Sequence, residues 1–172
     1  MSDAHENTPD DVDRIVKQWN RERPDLDVGP MGLIGRIGRL RETLFREQEK
    51  VFARFGLNYS GFDVLATLRR HGAPYTLSPG ALMDSMMITS GTVTNRIDQL
   101  EKAGLVSREP NPDDRRSMLV ALTPAGLKVI DEAVAAHVEN QHRIVGPLSP
   151  DERVALDALL SRFLSRLASG DD

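Results

Sequence analysis

Residues 88–123, ITSGTVTNRIDQLEKAGLVSREPNPDDRRSMLVALT, decide the fold of this 172-residue chain. Val93, Ile97 and Leu100 recur at the spacing of one helix face, so the first part of the stretch predicts an amphipathic helix. Gly104 follows directly after the pattern and ends the helix. The rest of the stretch predicts a different kind of structure.

A β-hairpin is predicted directly after this helix. Residues 105–109 and 117–122 have the composition of strands, and the sequence Asn-Pro-Asp-Asp at 111–114 is a strong turn signal between them. Arg115 and Arg116 therefore lie near the tip of the hairpin.

The helix face opposite the apolar stripe is polar. Thr89 or Ser90 can cap the start of the helix. At about 100° per residue, the polar face holds Gly91, Thr92, Asn95, Asp98, Gln99 and Lys102. Such side chains suit a helix that lies against base edges in a major groove. A solvated outer face followed by a surface hairpin is the alternative for this stretch.

A second capped helix precedes this one. Ser78 is a capping residue and Pro79 occupies the first turn, followed by the apolar Leu82, Met83 and Met86. A short helix, a tight turn and a second helix form a helix-turn-helix, and the hairpin after it makes the unit winged. The sequence thus predicts a DNA-binding domain.

The runs SGTVTNRIDQLEKAGLV and DDRRSMLVALTPAG resemble the MarR family of transcriptional regulators, from about Pro30 to the C-terminus. The resemblance implies that Arg116 of the wing enters a minor groove and that Asp114 supports it. The DNA-binding candidates on the helix and wing are Ser90, Gly91, Thr92, Thr94, Asn95, Gln99, Arg115 and Arg116.

Within that family, the chain is similar to a urate-responsive subgroup that carries an additional N-terminal helix with a tryptophan. The resemblance implies a ligand site made by Trp19, Asp63, Arg96 and Arg108. The helical wheel independently places Arg96 about 60° from the centre of the apolar stripe, where a guanidinium needs a carboxylate such as Asp63 or an anionic ligand. Urate, xanthine and phenolic acids are not distinguished.

Three of these residues also have a structural interpretation. Asp63 lies three residues after Ser60, which predicts a capping-box acid at a helix that begins at Ser60. Trp19 can be a packing anchor, and Arg108 can be a strand residue that contacts phosphate.

The remaining sequence predicts helices on both sides of the winged domain. An amphipathic helix is expected at 11–20, a long helix at 30–55 with glycines at 32, 35 and 38 where a helix or ligand approaches, and helices from Thr123 to about residue 141 and from Ser149 onward. Ile130, Val134, Ala135 and Val138 form the apolar stripe of the first of these, and Leu156, Leu159, Leu160, Phe163, Leu164 and Leu167 that of the last.

The predicted fold class is mainly α with a small β-hairpin (α+β): a winged helix-turn-helix domain with a helical dimerisation layer. Residues 1–28 are an N-terminal extension, 29–55 and 123–172 the dimerisation region, and 56–122 the DNA-binding domain. A homodimer predicts a pseudo-palindromic operator with half-sites about one helical turn, roughly 10 bp, apart.

Composition excludes several other functions. The chain has no cysteine, so thiol-based sensing and thiolate metal sites are excluded. Nucleotide-binding, hydrolase and metalloprotease motifs are absent, so neither an enzyme, a cofactor nor a metal site is predicted. No apolar run reaches membrane-spanning length and the acidic N-terminus is not a signal peptide, so we expect a cytoplasmic protein without membrane contact.

The net charge of −4 is unevenly distributed. Residues 1–28 carry 8 acidic and 4 basic side chains and residues 123–172 carry 8 and 5, whereas residues 29–122 carry 10 acidic and 13 basic ones. We therefore expect few phosphate contacts and a moderate salt dependence. A DNA binder without an effector and a winged protein-interaction module remain alternatives, and the sequence does not specify the operator, the regulated genes or the choice between repression and activation.

Overall fold

The computed structural model describes residues 9–86, 93–112, 114 and 117–170. These residues are mainly helical with a small sheet, as the sequence predicts. In chain order the elements are α1 (Asp11–Glu22), α2 (Gly29–Ala53), α3 (Tyr59–Arg70), β1 (Thr76–Leu77), α4 (Pro79–Ser85), α5 (Val93–Lys102), β2 (Val106–Pro110), β3 (Met118–Leu122), α6 (Pro124–Val145) and α7 (Pro150–Ala168).

The sheet is antiparallel, with strand order β1-β3-β2. Strands β2 and β3 form the predicted hairpin, in which Arg108 is opposite Val120. Strand β1 is an addition to the prediction and pairs Leu77 with the same Val120. Two residues are too few to show the alternation by which a strand is recognised in a sequence, so β1 could not be predicted.

The chain divides into two compact units, Met1–Glu47 and Gln48–Asp172. The second unit contains the sheet and a core of buried apolar side chains from its helices and strands. The largest fully buried ones include Phe52, Leu65, Leu68, Leu82, Ile97 and Ile130. The rings of Phe52 and Phe62 stack in this core with their centroids 4.0 Å apart.

Helix α3 begins earlier than predicted. Asn58, not Ser60, is the N-cap, and its side chain accepts a hydrogen bond from the Gly61 amide at 2.8 Å. Asp63 is therefore the fifth residue of the helix instead of a capping-box acid, and it is buried. The capping-box interpretation of Asp63 is wrong because an earlier residue with an equally suitable side chain caps the helix.

Helix α6 begins at the predicted Thr123 cap, whose hydroxyl accepts from the Gly126 amide at 3.0 Å, and runs past residue 141 to Val145. Ile130 is buried as predicted, but Ala135 and Val138 are exposed and Ala133 is buried in their place. The buried face is set by close packing at the start of the helix. A Cβ atom on Gly126 would lie only 1.9 Å from the carbonyl oxygen of Leu105.

In the first unit, α1 packs on the beginning of α2. Val12 is buried and lies against Gly35, where a Cβ atom would be 3.3 Å from Val12 Cγ1, and Gly32 lies near Val16 in the same way. The prediction of close approach is confirmed at these two glycines and stays a prediction at Gly38, where a Cβ atom would have no described neighbour within 4 Å.

Ion pairs also join these two helices. The guanidinium of Arg36 donates to Asp10 at 2.9 Å and to Asp13 at 2.6 Å, and Arg39 donates to Asp11 at 3.2 Å. The pKa of Asp13 is lowered mainly by its hydrogen bond with Arg36, and the pKa of Asp11 mainly by its hydrogen bond with Arg14. These contacts favour the charged carboxylates and hold α1 in place.

Helix α7 keeps its apolar stripe exposed. It begins after the predicted Ser149, which forms a complete capping box with Glu152, yet no residue of the helix is buried. Val154 is 70 % exposed and Leu164 is 67 % exposed. Within the described ranges, no helix is both long and apolar enough to span a bilayer.

Candidate DNA interface and effector site

The helix-turn-helix is built from α4 and α5. Ser78 caps α4 by accepting from the Ala81 amide at 3.2 Å, and Pro79 follows in the first turn. Leu82 and Met86 are buried, which fixes α4 against the core, while Met83 is 51 % exposed. Residues 87–92, with the predicted caps Thr89 and Ser90 of α5, lie outside the described part of the chain.

Helix α5 separates its two faces as predicted. Ile97 is 1 % exposed and Leu100 is 6 % exposed, so the apolar stripe faces the core. Thr94, Asn95 and Gln99 are exposed on the other side. Of the remaining candidates, Ser90, Gly91, Thr92 and the side chain of Val93 lie outside the described residues.

Asp98, which is predicted on the outer face, is 43 % exposed and is part of an ion-pair cluster. Arg108 of β2 donates from Nη2 to Asp98 and from Nη1 to Glu101, so one guanidinium joins two carboxylates of α5. The pKa of Arg108 is raised, mainly by its hydrogen bond with Asp98. The sequence allows Arg108 to contact phosphate and does not predict these two carboxylates. The alternation of side chains along a strand does not show which residues of another element lie opposite them.

Hydrogen bonds close the turn that joins β2 to β3 in the wing. Asn111 donates from its amide to the Ser117 carbonyl oxygen at 3.1 Å, and the Ser117 amide donates to the carbonyl oxygen of Asp114 at 2.9 Å. Side chains strengthen this turn, because Nδ2 of Asn111 donates to the Ser117 hydroxyl at 3.0 Å. Arg115 and Arg116 lie outside the described residues, so their predicted groove contacts are not tested.

Two of the predicted ligand-site residues are in the interior of the second unit. Asp63 of α3 is 4 % exposed, and one of its oxygens lies 4.0 Å from Nη1 of Arg70. Arg96 of α5 is half-buried and its Nη1 atom is inaccessible to solvent. A carboxylate and a guanidinium removed from water in one folding unit need partners of opposite charge.

Trp19 belongs to the first unit, where it lies on α1 and is 43 % exposed. Almost half of the side chain is accessible and the rest is covered, so its interpretation as a packing anchor stays open. An exposed indole is a suitable stacking surface for an aromatic ligand.

A surface cleft of about 100 Å³ lies beside Arg96, between the start of α3 and the second half of α5. Its lining consists of Gly56, Leu57, Asn58, Gly61, Arg96, Gln99, Leu100, Ala103 and Leu105. For comparison, an enclosed apolar cavity of about 150 Å³ can hold a benzene molecule. The cleft beside Arg96 is smaller than such a cavity and is open to solvent.

Metal ligation is not indicated by the structure. Among the described residues, no group of three or more histidine, aspartate or glutamate side chains could hold an ion. His137 instead contacts the rings of Phe52 and Phe62, with centroids 5.2 and 5.0 Å away, and desolvation lowers its pKa.

Comparison with known proteins agrees with this geometry. A model of the MarR family matches residues 57–118, which include α3 to the start of β3. The chain is 45 % identical to the HTH-type transcriptional regulator PecS of Dickeya dadantii over 159 residues, covering 92 % of this chain and 96 % of that protein.

Two solved structures have the same fold. A mutant form of MarR from E. coli, complexed with operator DNA, matches with a TM-score of 0.68 and 24 % identity over 85 % of this chain and 97 % of that one. BpsR of Bordetella bronchiseptica, a structure that addresses the regulation of DNA binding by 6-hydroxynicotinic acid, matches with a TM-score of 0.60 and 29 % identity over 74 % of this chain and 98 % of that one.

Proposed function

This chain belongs to the MarR family of DNA-binding transcriptional regulators, which are not enzymes, and we propose that it is a repressor released from its operator by a small aromatic anion. The proposed regulator is a homodimer on a pseudo-palindromic site. The observation that carries the proposal is the division of α5, which buries Ile97 and Leu100 while exposing Asn95 and Gln99.

The proposed DNA contacts follow from that division. Asn95 and Gln99 are four residues apart and therefore extend from the same side of α5. Amide side chains can form paired hydrogen bonds with adenine in a major groove. Thr94 and the candidates Ser90, Gly91 and Thr92 contact the same groove in this proposal, and Arg115 and Arg116, supported by Asp114, contact the adjacent minor groove.

A gel shift with DNA from upstream of the protein's own gene tests this interface. We expect Asn95→Ala to weaken operator binding by roughly tenfold, since one bidentate base contact contributes about 1–3 kcal/mol of discrimination. Glu132→Ala, an exposed change on α6, is the control and leaves affinity unchanged. Equal operator and random-DNA affinities for the wild type would favour the protein-interaction alternative.

Exposed apolar surface supports the proposed homodimer. Leu156, Leu160, Phe163 and Leu167 recur on one face of α7, and each is at least 36 % exposed. Fully burying one such side chain stabilises an assembly by about 1.5–3 kcal/mol. In the first unit, α2 also exposes Leu33 and Ile34, at 59 % and 56 %.

Sedimentation analysis tests the dimer. We expect Phe163→Glu to shift the protein to a monomer at micromolar concentration, because it places a charge in the apolar stripe. Ser165→Glu introduces the same charge almost opposite that stripe and leaves the dimer intact. A wild-type monomer, or equal behaviour of the two variants, would contradict the proposed interface.

The effector proposal is supported by the chemistry of its four residues. Trp19 offers an exposed indole for stacking, and Arg96 offers a guanidinium to an anion. In the proposed ligand-free state the buried Asp63 is the counter-charge of Arg96. Arg108 completes the set, although an anion that binds it must compete with Asp98 and Glu101.

Ligand entry would then act on α5 directly. Because Arg96 belongs to α5, an anion that replaces Asp63 as its partner shifts the proposed recognition helix. Urate, xanthine, salicylate and 6-hydroxynicotinate are suitable probes, each titrated to millimolar concentration against the protein–DNA complex. We expect at least one of them to release the DNA, and no release by any of them favours the constitutive DNA binder.

Variants locate the site. Arg96→Gln and Trp19→Phe are expected to raise the effector concentration needed for half-release by about tenfold or more, since the first removes the proposed ion pair and the second reduces the stacking surface. Arg54→Gln, which removes an exposed arginine outside the set, is the matched control. A wild-type response in the first two variants would move the site elsewhere.

A further inference from the structure

A single guanidinium connects the first long strand of the wing to two points on α5. Arg108 lies in β2, and its two terminal nitrogens donate to Asp98 and Glu101. These acids are three residues apart and are therefore neighbours on one helix face. The three side chains are partly shielded from solvent, at 28 %, 43 % and 38 % exposure.

Attachment at two points restricts the rotation of α5 about its axis. A single ion pair allows the helix to rotate around it, whereas two contacts on successive turns to one planar group do not. The restriction applies to the residues that face the groove, because Asp98 directly precedes Gln99 and follows Asn95 by one turn. A rotation of only about 20° moves a side-chain tip by roughly 2 Å at the radius of a helix, which is enough to break a hydrogen bond.

The same contacts relate α5 to the wing. Strand β2 continues from Arg108 to Pro110 and then, along the sequence, towards Arg115 and Arg116. The Arg108 ion pairs therefore connect the two parts of the domain that, in the proposed function, enter two different grooves. Fixing them relative to each other reduces the freedom that must be lost on binding.

We propose that Arg108 is a positioning residue for operator recognition, which holds α5 at one rotation relative to β2 through Asp98 and Glu101. This role rests on the proposed docking of α5 in the major groove and does not depend on an effector. It differs from a phosphate contact, which would attract any DNA sequence equally.

The test compares the affinity for operator DNA with that for random DNA, without effector, for Arg108→Gln, Glu101→Gln, Asp98→Asn and the Arg108→Gln/Glu101→Gln double variant. Each single change is expected to weaken operator binding by about tenfold and to leave random-DNA binding within about twofold, because a misdirected helix loses base contacts but keeps phosphate contacts. The double variant is expected to bind operator DNA no more weakly than the single variant with the lower affinity, since both changes remove the same connection between β2 and α5. Glu109→Gln removes a neighbouring exposed carboxylate of β2 and is the control.

Salt dependence separates this role from direct contact. We expect the slope of log affinity against log salt to be unchanged in Arg108→Gln. A slope reduced by about one, with Glu101→Gln and Asp98→Asn binding more tightly, would show that Arg108 contacts phosphate and would overturn the proposal. If the wild type does not distinguish operator from random DNA, the proposed function itself fails. If the wild type does distinguish them and the variants bind operator DNA equally well, only the proposed role of Arg108 is overturned. Arg108→Lys, which retains the charge but not the planar two-point geometry, is expected to keep the salt slope but not the specificity.

Discussion

Gly126→Ala tests the contact between the start of α6 and the connection from α5 to the sheet. The added Cβ atom would lie 1.9 Å from the carbonyl oxygen and 2.8 Å from the carbonyl carbon of Leu105. Since Cβ contacts do not fall below 3.0 Å, the two backbones must separate by about 1.1 Å, the difference between 3.0 and 1.9 Å.

The magnitude of the effect follows from what that separation breaks. The Leu105 carbonyl oxygen also accepts a hydrogen bond from the Thr123 amide at 3.1 Å, and the Thr123 hydroxyl donates to the Gly104 carbonyl oxygen at 2.7 Å. Overpacking costs about 1–3 kcal/mol, and a backbone hydrogen bond lost in a partly buried place costs about 1–3 kcal/mol more. We therefore expect the free energy of unfolding to decrease by about 2–6 kcal/mol.

Urea unfolding followed by circular dichroism, at one fixed protein concentration, measures this change. Gly80→Ala is the matched control, because Gly80 also lies in the first turn of a helix but a Cβ atom there has no neighbour within 4 Å. We expect that control to be neutral or stabilised by up to about 1 kcal/mol. A decrease of less than about 1 kcal/mol for Gly126→Ala would refute the reasoning, because the contact would then be able to relax without the cost of overpacking.

Three further changes have defined outcomes. Asn58→Ala is expected to destabilise the protein by about 1 kcal/mol through loss of the α3 cap, whereas Ser60→Ala has almost no effect. The reverse order of the two variants in urea unfolding would show that Ser60 is the cap. Burial lowers the pKa of His137, so the unfolded chain binds a proton before the folded protein does as the pH falls below about 6.5, and the free energy of unfolding decreases there. His137→Phe is expected to flatten that part of the pH–stability curve. An unchanged slope would show that His137 does not cause the decrease. Arg36 lowers the pKa of Asp13, so the docking of α1 is complete above about pH 4 and is lost as the pH falls through the folded-state pKa of Asp13. Fluorescence of Trp19, the chain's single tryptophan, is expected to report this loss at a higher pH in Arg36→Gln than in the wild type. Identical midpoints in the two proteins would exclude the ion pair as the cause.

The elements that the sequence predicts are those with a local signal. The helix-turn-helix is predictable because Ser78 and Pro79 mark a helix start and Gly104, with a φ of +71°, marks a helix end. The hairpin is predictable because its turn residues are concentrated between two strand-like segments. Such signals depend only on neighbours in the chain, so they can be read without the fold.

The features that the sequence does not reveal depend on distant contacts. Nothing near Gly126 in sequence indicates that Leu105 approaches it, and nothing near Arg108 indicates two carboxylates on α5. The spacing of Asp98 and Glu101 at i and i+3 is the available signal, since it describes a pair of like charges that a cation would stabilise. The cap at Asn58 escapes prediction for a different reason, because Asn58 and Ser60 are both acceptable caps and only the packing of α3 chooses between them.

The exposed stripe of α7 has a consequence for how much protein a cell must contain. Most of the stability of a helix in a protein comes from the tertiary packing of its apolar face, and no residue of α7 is buried within its own chain. In the proposed dimer, this helix therefore acquires its stability from a second copy, so dilution unravels it. Newly made chains would remain partly unfolded until their abundance permits pairing, and synthesis rate would then set the threshold at which repression begins.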